Sequence, residues 1–171
     1  GSAVVQLAKH IGKAANVVAI AGSQEGGDRA IALGADKFVN YKSENFAQEL
    51  KEAVGEDFAD VYFDNVGGVV LDTVLPLLKV GGRVAACGAI AGYNDRTQGY
   101  VKNWAAIITQ KLQVNGFLVS DYMYKAYETT MTLVGSYKSG KLYVDTDIVD
   151  LTVAENRFEQ APLVWSPLFT S

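Results

Sequence analysis

The sequence predicts a doubly wound α/β domain built on a parallel sheet. Apolar runs with strand character alternate with segments of helical periodicity along the whole chain. The predicted strands are apolar along most of their length, as strands are when both faces of a parallel sheet are covered. The chain has 171 residues, of which 49% are hydrophobic and 20% charged, which suits one domain of this class with a sizeable core.

The first half of the chain supplies three predicted strands. Residues 2–12 place apolar side chains at helical spacing, with Ser2 as the expected N-cap, so the chain opens on a helix where such a domain ordinarily opens on a strand. β-branched and apolar runs then predict strands, and the periodic segments between them predict helices closed by glycine. The strands are expected at 16–21, 37–41 and 58–63, and the helices at 28–33, 43–54 and 69–78.

The second half continues the alternation. Residues 79–83, with two adjacent glycines, predict a turn that leads into the next strand, and residues 88–99 predict a long polar loop. Strands are expected at 84–87, 112–119 and 147–151, and helices at 104–111, 122–139 and 154–164. No linker composition interrupts the series, so residues 1–171 are expected to form a single, partial dinucleotide-binding domain.

Charge and composition narrow the class of partner. The formal net charge is −4 and no run of Lys or Arg occurs, which disfavours nucleic acid and anionic membranes as partners. No secretory signal pattern or apolar span of membrane length is visible, so a cytoplasmic protein is expected. A single histidine, His10, and a single cysteine, Cys87, cannot form a Cys/His zinc site by themselves. Cys87 ends an apolar run, which predicts a small buried residue rather than a reactive thiol.

Several predicted strands end in residues suited to a nucleotide. The stretch Val61 to Gly68 changes from apolar to polar at Asp64 and Asn65, at what would be the carboxyl, ligand-binding edge of the sheet. The amide of Asn65 suits a ribose, and Tyr41 is positioned to stack on a nucleotide, although a half-buried strand end is the alternative for the tyrosine. The loop after 84–87 permits close backbone approach at its glycines, and 117–119 presents apolar side chains at the same edge.

Residues at the beginning of the chain and at the end of its first strand are candidates for contacting the phosphates of a dinucleotide. Gly1 and Ser2 are the remainder of a possible glycine-rich diphosphate turn, with residues from a cloning site as the alternative. Ser23 stands where a carboxylate would bind a ribose 2′-hydroxyl. Its hydroxyl is compatible with a 2′-phosphate and mildly favours NADP over NAD, while a helix-capping role is the alternative.

The chain resembles the cofactor domain of zinc-independent medium-chain reductases, and within them the prostaglandin reductase / 2-alkenal reductase branch. The characteristic segments are Tyr62-Phe63-Asp64-Asn65-Val66-Gly67-Gly68 and Cys87-Gly88-Ala89-Ile90. The other matching segments are 1–9, 21–23, 33–36, 40–42, 82–86 and 93–94. The match runs in order from residue 1 to about residue 160.

The resemblance implies that NADPH delivers a hydride to the β-carbon of an enal or enone. By position, Gly1 corresponds to the last glycine of the diphosphate loop, and Tyr41 and Asn65 to nucleotide contacts. Tyr93 corresponds to an aromatic hydroxyl near the substrate, and is the candidate for orienting its carbonyl. The loop along the adenosine and nicotinamide ribose corresponds to Cys87, Gly88, Ala89, Ile90, Ala91, Gly92 and Tyr93, and the backbone beside the nicotinamide to Phe117, Leu118 and Val119.

The chain departs from the family pattern in three places. Gly26 replaces a lysine that pairs with the 2′-phosphate, and Arg29 is the candidate substitute. Residues 163–171 diverge from the family's closing turn and strand. The family's catalytic, GroES-like domain and first strand have no counterpart in the sequence, and two half-sheets with exposed edges are expected as a result.

Three candidate functions are considered for this chain. The first is an NADPH-dependent enal or enone reductase, of which this chain is the cofactor domain, with a possible homodimer through Leu112–Val119. The second is a catalytically silent truncated module. The third is a methyltransferase, which the glycine pair in 79–83 suggests. Tyr93 and the strand 112–119 fit this third function poorly.

Overall fold

Five parallel strands form the framework of the described residues and lie in two sheets. The computed structural model describes residues 1–144 and 157–165. β1 (Val18–Ala21) pairs with β2 (Lys37–Asn40). β3 (Ala59–Asp64), β4 (Leu78–Ala86) and β5 (Gln113–Gly116) form the second sheet in that order. Every pairing is parallel, which confirms the predicted α/β class.

The two sheets are the halves expected of a doubly wound domain without its first strand. The strand order 3-2-1-4-5-6 places strand 1 between the two halves. Here β2 and β1 form one half and β3, β4 and β5 the other, so in the described part of the chain β1 and β3 each keep one unpaired edge. Val61 on β3 is accordingly 51% exposed, although it belongs to a strand that is central in the complete order.

Helices follow the strands in the predicted alternation. α1 continues directly into a π-helical turn, Leu7–Ile11, and a 3₁₀ turn, Leu75–Leu77, follows α4. The helices are α1 (Ser2–Gln6), α2 (Gln24–Ala32), α3 (Phe46–Val54), α4 (Gly68–Val74), α5 (Ala105–Thr109), α6 (Ala126–Lys138) and α7 (Arg157–Trp165). Among the residues that the structure describes, none of the helices has both the length and the apolar character of a membrane span.

One apolar core joins the two sheets. Val39 on β2 and Leu50 on α3 belong to the same buried cluster as Leu75, Leu78 and Val84, which lie in the second half. Leu50, Leu75 and Leu78 are at most 2% exposed. Burying a side chain of this kind contributes about 1.5–3 kcal/mol, so this shared cluster stabilises the association of the two halves.

Polar contacts fasten the first helix and its π-helical turn to residue 143 and to the segment before β2. The amide of Gln6, which is 3% exposed, donates to the carbonyl of Tyr143 at 3.0 Å and accepts from its N–H at 2.6 Å. Lys9 forms an ion pair with Asp36 at 2.6 Å, and Asp36 also accepts from the N–H of Val17 at 2.7 Å. The first contact holds residue 143 against α1, and the second holds α1 against the segment before β2.

Some predicted boundaries are wrong, each for a local reason. β4 begins at Leu78 rather than at 84, because the predicted turn at 79–83 is part of the strand and is absorbed by a register shift opposite Ala59 and Val61. α2 begins at Gln24 rather than at 28, because Ser23 caps it. The helix expected from 122 begins at Ala126, after a 3₁₀ segment, Val119–Lys125, that also shortens the strand expected at 112–119. The helix expected at 154–164 is described at 157–165, and the strand expected at 147–151 lies outside the described residues.

Candidate cofactor site

The carboxyl ends of the strands bring most of the predicted site residues to sheet edges. Within each sheet the strands are parallel, so the segments that follow them lie at one edge. In the first sheet these segments carry Gly22, Ser23 and Tyr41. In the second sheet they carry Asn65, the loop from Cys87 to Tyr93, and Phe117 to Val119.

Tyr41 covers the turn after β1. A Cβ added at Gly22 would lie 2.8 Å from the Tyr41 hydroxyl oxygen and 2.9 Å from ring carbons, so the ring packs directly on bare backbone. The N–H of Tyr41 donates to the carbonyl of Ala21 at 3.0 Å, which fixes the residue at the end of the sheet. Tyr41 is 37% exposed, and its ring therefore presents a partly open surface beside the turn.

Ser23 caps the helix that follows β1. Its Oγ accepts from the N–H of Gly26 at 3.1 Å, which is the capping alternative that the sequence left open. A Cβ at Gly26 would lie 3.2 Å from that Oγ, so position 26 contacts the cap directly. Arg29 is exposed on α2, three residues farther along.

Asp64 organises the turn after β3. Its carboxylate is 2% exposed, and a single oxygen, Oδ1, accepts from the Tyr62 hydroxyl at 3.0 Å and from the N–H groups of Val66 and Gly67 at 2.9 Å each. Burial, followed by the negative charge of Asp64, raises the pKa of Tyr62, so the phenol stays protonated and donates. Asp64 therefore shapes the turn, and Asn65, next in the chain, is half-buried at the edge.

The loop after β4 is hydrogen-bonded to the turn after β3. The N–H groups of Cys87 and Gly88 donate to the carbonyl of Asp64 at 2.8 and 3.1 Å. Farther along, Ile90 donates to Asn65 at 3.3 Å, and Ala91 to Val66 at 3.0 Å. The two segments that carry most of the predicted cofactor contacts are thus one hydrogen-bonded unit.

Small residues are necessary where these segments touch. A Cβ at Gly88 would lie 3.0 Å from the carbonyl oxygen of Asn65, and a Cβ at Gly67 would lie 3.3 Å from the Cβ of Ala89. Gly92 packs in the same way on Gly99, at 3.4 Å from its Cα. The backbone of residues 88–92 therefore approaches its neighbours more closely than larger side chains would permit.

Cys87 is more exposed than the sequence predicts. The sequence predicts a small buried residue, but the structure places an exposed free thiol there. The reason is that the ladder between β3 and β4 ends at Ala86, so Cys87 is the first residue beyond the sheet. It lies at the candidate site, and the prediction that it is buried is wrong.

Tyr93 and the end of β5 present an open, aromatic surface. Tyr93 is 71% exposed at the end of a 3₁₀ turn, Ile90–Gly92, and its N–H donates to the carbonyl of Ile90 at 3.2 Å. The Phe117 ring packs edge-to-face on Phe63, with centroids 6.3 Å apart. Leu118 and Val119 are 66% and 78% exposed, so both apolar side chains are available to contact a flat ring.

Gly1, and not Ser2, stands at the N-cap of the first helix. Gly1 is the N-cap of α1 and its carbonyl accepts from the N–H of Val5 at 3.2 Å, whereas Ser2 is the first helical residue. The prediction that Ser2 caps the helix is therefore wrong. Neither residue contacts the predicted sites on β3 and β4 through a hydrogen bond among the described residues.

No role was predicted for Tyr62, Gly68 or Gln98, although the first two belong to a segment characteristic of the resemblance. Tyr62 and Asp64 stand two residues apart on one strand and so share a face, which was an available signal for their contact. Gly68 has a φ of +54°, and a Cβ there would overlap the carbonyl oxygen of Gln98. No sequence signal indicates that last contact, because residue 98 belongs to a loop 30 residues away.

The described residues do not bring potential metal ligands together in a cluster. In the described ranges, 1–144 and 157–165, no group of three or more His, Cys, Asp or Glu side chains could hold a metal ion. His10 contacts the carbonyl of Leu33 at 3.3 Å, at the end of α2.

Comparison with known proteins identifies the family. A sequence profile described as zinc-binding dehydrogenase matches residues 1–136. The chain belongs to that family. The 2-alkenal reductase (NADP(+)-dependent) of Nicotiana tabacum is 36% identical over 172 residues, covering 99% of this chain and 48% of the relative. An uncharacterized membrane protein of Saccharomyces cerevisiae is 35% identical over 182 residues, covering 99% of this chain and 47% of the relative.

A solved structure extends the likeness to three dimensions. CurA from Vibrio vulnificus, in complex with NADPH, superimposes with a TM-score of 0.80 at 28% identity, covering 96% of this chain and 50% of that one. These findings confirm the predicted fold and the resemblance to the 2-alkenal reductase branch. The chain spans about half the length of the relatives that it matches.

Proposed function

We propose that this chain is the cofactor domain of a longer, cytoplasmic, zinc-independent oxidoreductase that uses NADPH to reduce the carbon–carbon double bond of α,β-unsaturated aldehydes or ketones. The observation that carries the proposal is the hydrogen-bonded unit formed by the turn at Asp64 and the loop at 87–92. It gathers predicted cofactor contacts at one sheet edge. The similarity to an NADP(+)-dependent 2-alkenal reductase and to an NADPH-bound structure supports the choice of cofactor and reaction.

The residues present fit an extended dinucleotide. At Gly22 and Gly88 a Cβ would crowd the Tyr41 ring and the carbonyl oxygen of Asn65, so the two glycines let these predicted nucleotide contacts pack closely on the strand ends. The Tyr41 ring would pack against the nucleotide, and the Asn65 amide, with both a donor and an acceptor, would hold a ribose. The exposed apolar side chains of Leu118 and Val119 would exclude water from one side of the nicotinamide.

The chemical step requires a polarised carbonyl. When the cofactor is bound, the hydride for the β-carbon comes from NADPH. The Tyr93 hydroxyl, on an exposed side chain beside the cofactor loop, would donate a hydrogen bond to the substrate carbonyl and favour the enolate that forms. Solvent or a tyrosine would complete protonation at carbon, which leaves the saturated aldehyde or ketone.

The direct test is NADPH oxidation by the full-length protein with a panel of enals, enones and quinones. The proposal expects turnover of enals or enones, with the saturated carbonyl compound as product. Absence of turnover with every member would refute the reductase. Turnover confined to quinones would keep the cofactor assignment and refute the enal or enone as substrate.

A catalytically silent module is the competing function, and the unpaired edges of β1 and β3 favour it for the 171-residue chain by itself. We expect the isolated chain to bind NADPH weakly or not at all, because the two half-sheets lack the strand that would fix their spacing. Fluorescence titration measures this, and micromolar affinity would contradict it. A parent reading frame with roughly 150 further residues upstream, a domain's worth, would favour the reductase.

We also propose that the full-length protein forms a homodimer through 112–119. Among the described residues β5 is the outer strand of its sheet and all four of its residues are exposed, so its edge is a candidate for pairing with the same strand of a second copy. Size-exclusion chromatography with light scattering tests this proposal. A strictly monomeric full-length protein would rule it out.

A further inference from the structure

We propose that Tyr62 is a positioning residue for the cofactor: its hydroxyl fixes the Asp64 carboxylate, and through it both loops that the cofactor would contact. The inference rests on the proposed function and adds a residue that the family resemblance does not assign. Tyr62 itself lies within β3 and points to no substrate. Its effect would pass entirely through Asp64.

The contact is a buried, charge-assisted hydrogen bond. Tyr62 and Asp64 share one face of β3, and the phenol donates to Oδ1 at 3.0 Å. Asp64 is 2% exposed, so its charge depends on protein donors rather than on water. Hydrogen bonds to an ionised acceptor are roughly twice as strong as those between neutral groups.

The same oxygen holds the turn. Oδ1 also accepts from the N–H groups of Val66 and Gly67, at 2.9 Å each. Because the three donors converge on one oxygen, the carboxylate has a single orientation in which all of them are satisfied. Without the phenol, the carboxylate can rotate about χ2 and offer its oxygens to the two backbone donors in other geometries.

The orientation of the turn is passed to the next loop. The carbonyl of Asp64 accepts from Cys87 and Gly88, and the carbonyls of Asn65 and Val66 accept from Ile90 and Ala91. A displaced turn therefore moves all three acceptors, and with them the four hydrogen bonds, at once. The loop 87–92 would lose its register on the turn without losing its own secondary structure.

The phenol can be separated from the ring. The Tyr62 side chain packs against the apolar core that contains Val84, and a phenylalanine would keep that packing. Tyr62→Phe therefore removes the hydroxyl alone. Ser136→Ala is a matched control, because it removes a hydroxyl from a residue that is 9% exposed and bonds to the carbonyl of Thr132 at 2.7 Å, on α6.

The experiment is a double-mutant cycle in the full-length protein, read by NADPH fluorescence titration. Tyr62→Phe is expected to raise the Kd for NADPH about threefold to tenfold, the range that the loss of one hydrogen bond produces. Asp64→Asn is expected to raise it more, because it weakens all three contacts. The double variant should match Asp64→Asn within about twofold, since Tyr62 acts through Asp64.

Amide hydrogen exchange gives a second readout that does not need the cofactor. Tyr62→Phe should accelerate exchange at Cys87, Gly88, Ile90 and Ala91, while Ser136→Ala should leave these four amides unchanged. An unchanged Kd with unchanged exchange, or additive effects in the cycle, would overturn the positioning role. If the unmodified protein does not bind NADPH, the proposed function fails, and the exchange result alone then decides whether Tyr62 positions the loop.

Discussion

Gly68→Ala is the substitution for which the structure gives the clearest expected effect. Gly68 is buried at the start of α4 and has a φ of +54°, a conformation that L-residues rarely adopt. A Cβ there would also overlap the carbonyl oxygen of Gln98 and lie 3.2 Å from the Cβ of Ala91. The variant therefore combines backbone strain with a collision in the loop beside the candidate site.

The two parts of the cost can be separated. A left-handed conformation costs an L-residue about 1–2 kcal/mol. Overpacking a filled site costs about 1–3 kcal/mol in addition, which gives about 2–5 kcal/mol for Gly68→Ala. Gly140 has a φ of +71° and nothing within 4 Å of an added Cβ, so Gly140→Ala carries the strain alone, about 1–2 kcal/mol.

The assay compares both variants with the unmodified full-length protein by urea unfolding and by NADPH titration. Gly68→Ala should unfold at lower urea than Gly140→Ala and should bind NADPH more weakly, because Gln98 and Ala91 must move away. Gly140→Ala should leave NADPH affinity unchanged. Equal unfolding midpoints for the two variants, with unchanged affinity in both, would refute the claim that this contact shapes the site.

Three further predictions concern the substrate, the pH dependence and the assembly. Tyr93→Phe should lower kcat for an enone about 10- to 100-fold with little change in NADPH Kd, whereas the exposed Tyr100→Phe should change neither; equal kcat in both would contradict the role of Tyr93. The hydrogen bond from Lys9, followed by that from a backbone N–H, lowers the pKa of Asp36 below its usual 3.8. The stabilising effect of the Asp36 carboxylate is therefore present above pH 3.8 and is lost as the pH falls through the lowered pKa. The urea midpoints of the unmodified protein and of Asp36→Asn should converge in acid. A difference between the midpoints that does not change with pH would contradict this. Val114→Lys, on the exposed edge of β5, should yield a monomer by light scattering if that edge forms the dimer, and a persistent dimer would exclude this interface.

The alternation of elements was predictable because each strand has a strong local signal. Val18–Ala21 is a short apolar run and Lys37–Asn40 has an apolar centre, Phe38-Val39; both end next to turn residues, and the structure shows strands there. The segment 79–83 was not predictable in the same way. Gly81 and Gly82 are typical of a turn, and Gly81 has a φ of +79°, but Leu78 and Arg83 on either side pair with β3 and include the glycines in β4 as an irregularity, since non-local pairing outweighs local preference in strands.

The site was predictable at the level of strand ends and not at the level of contacts. Asn65 and Tyr41 follow apolar runs, and parallel topology places such residues at the sheet edge. The exposure of Cys87 depends on where one ladder ends, which a single residue decides. The contact between Gly68 and Gln98 depends on the path of a loop, for which neither periodicity nor composition gives a signal.

The division of the sheet into two halves also determines how this chain would bind a dinucleotide. The resemblance assigns Tyr41 to the nucleotide and Phe117 to the nicotinamide, and the structure places them on different half-sheets. The core around Leu50 and Val84 joins the halves through side-chain packing, whereas a strand between β1 and β3 would join them through backbone hydrogen bonds. Each half can therefore present its own contacts correctly while their separation stays less firmly fixed. For that reason cofactor affinity should respond more to the pairing of those two edges than to any single contact residue.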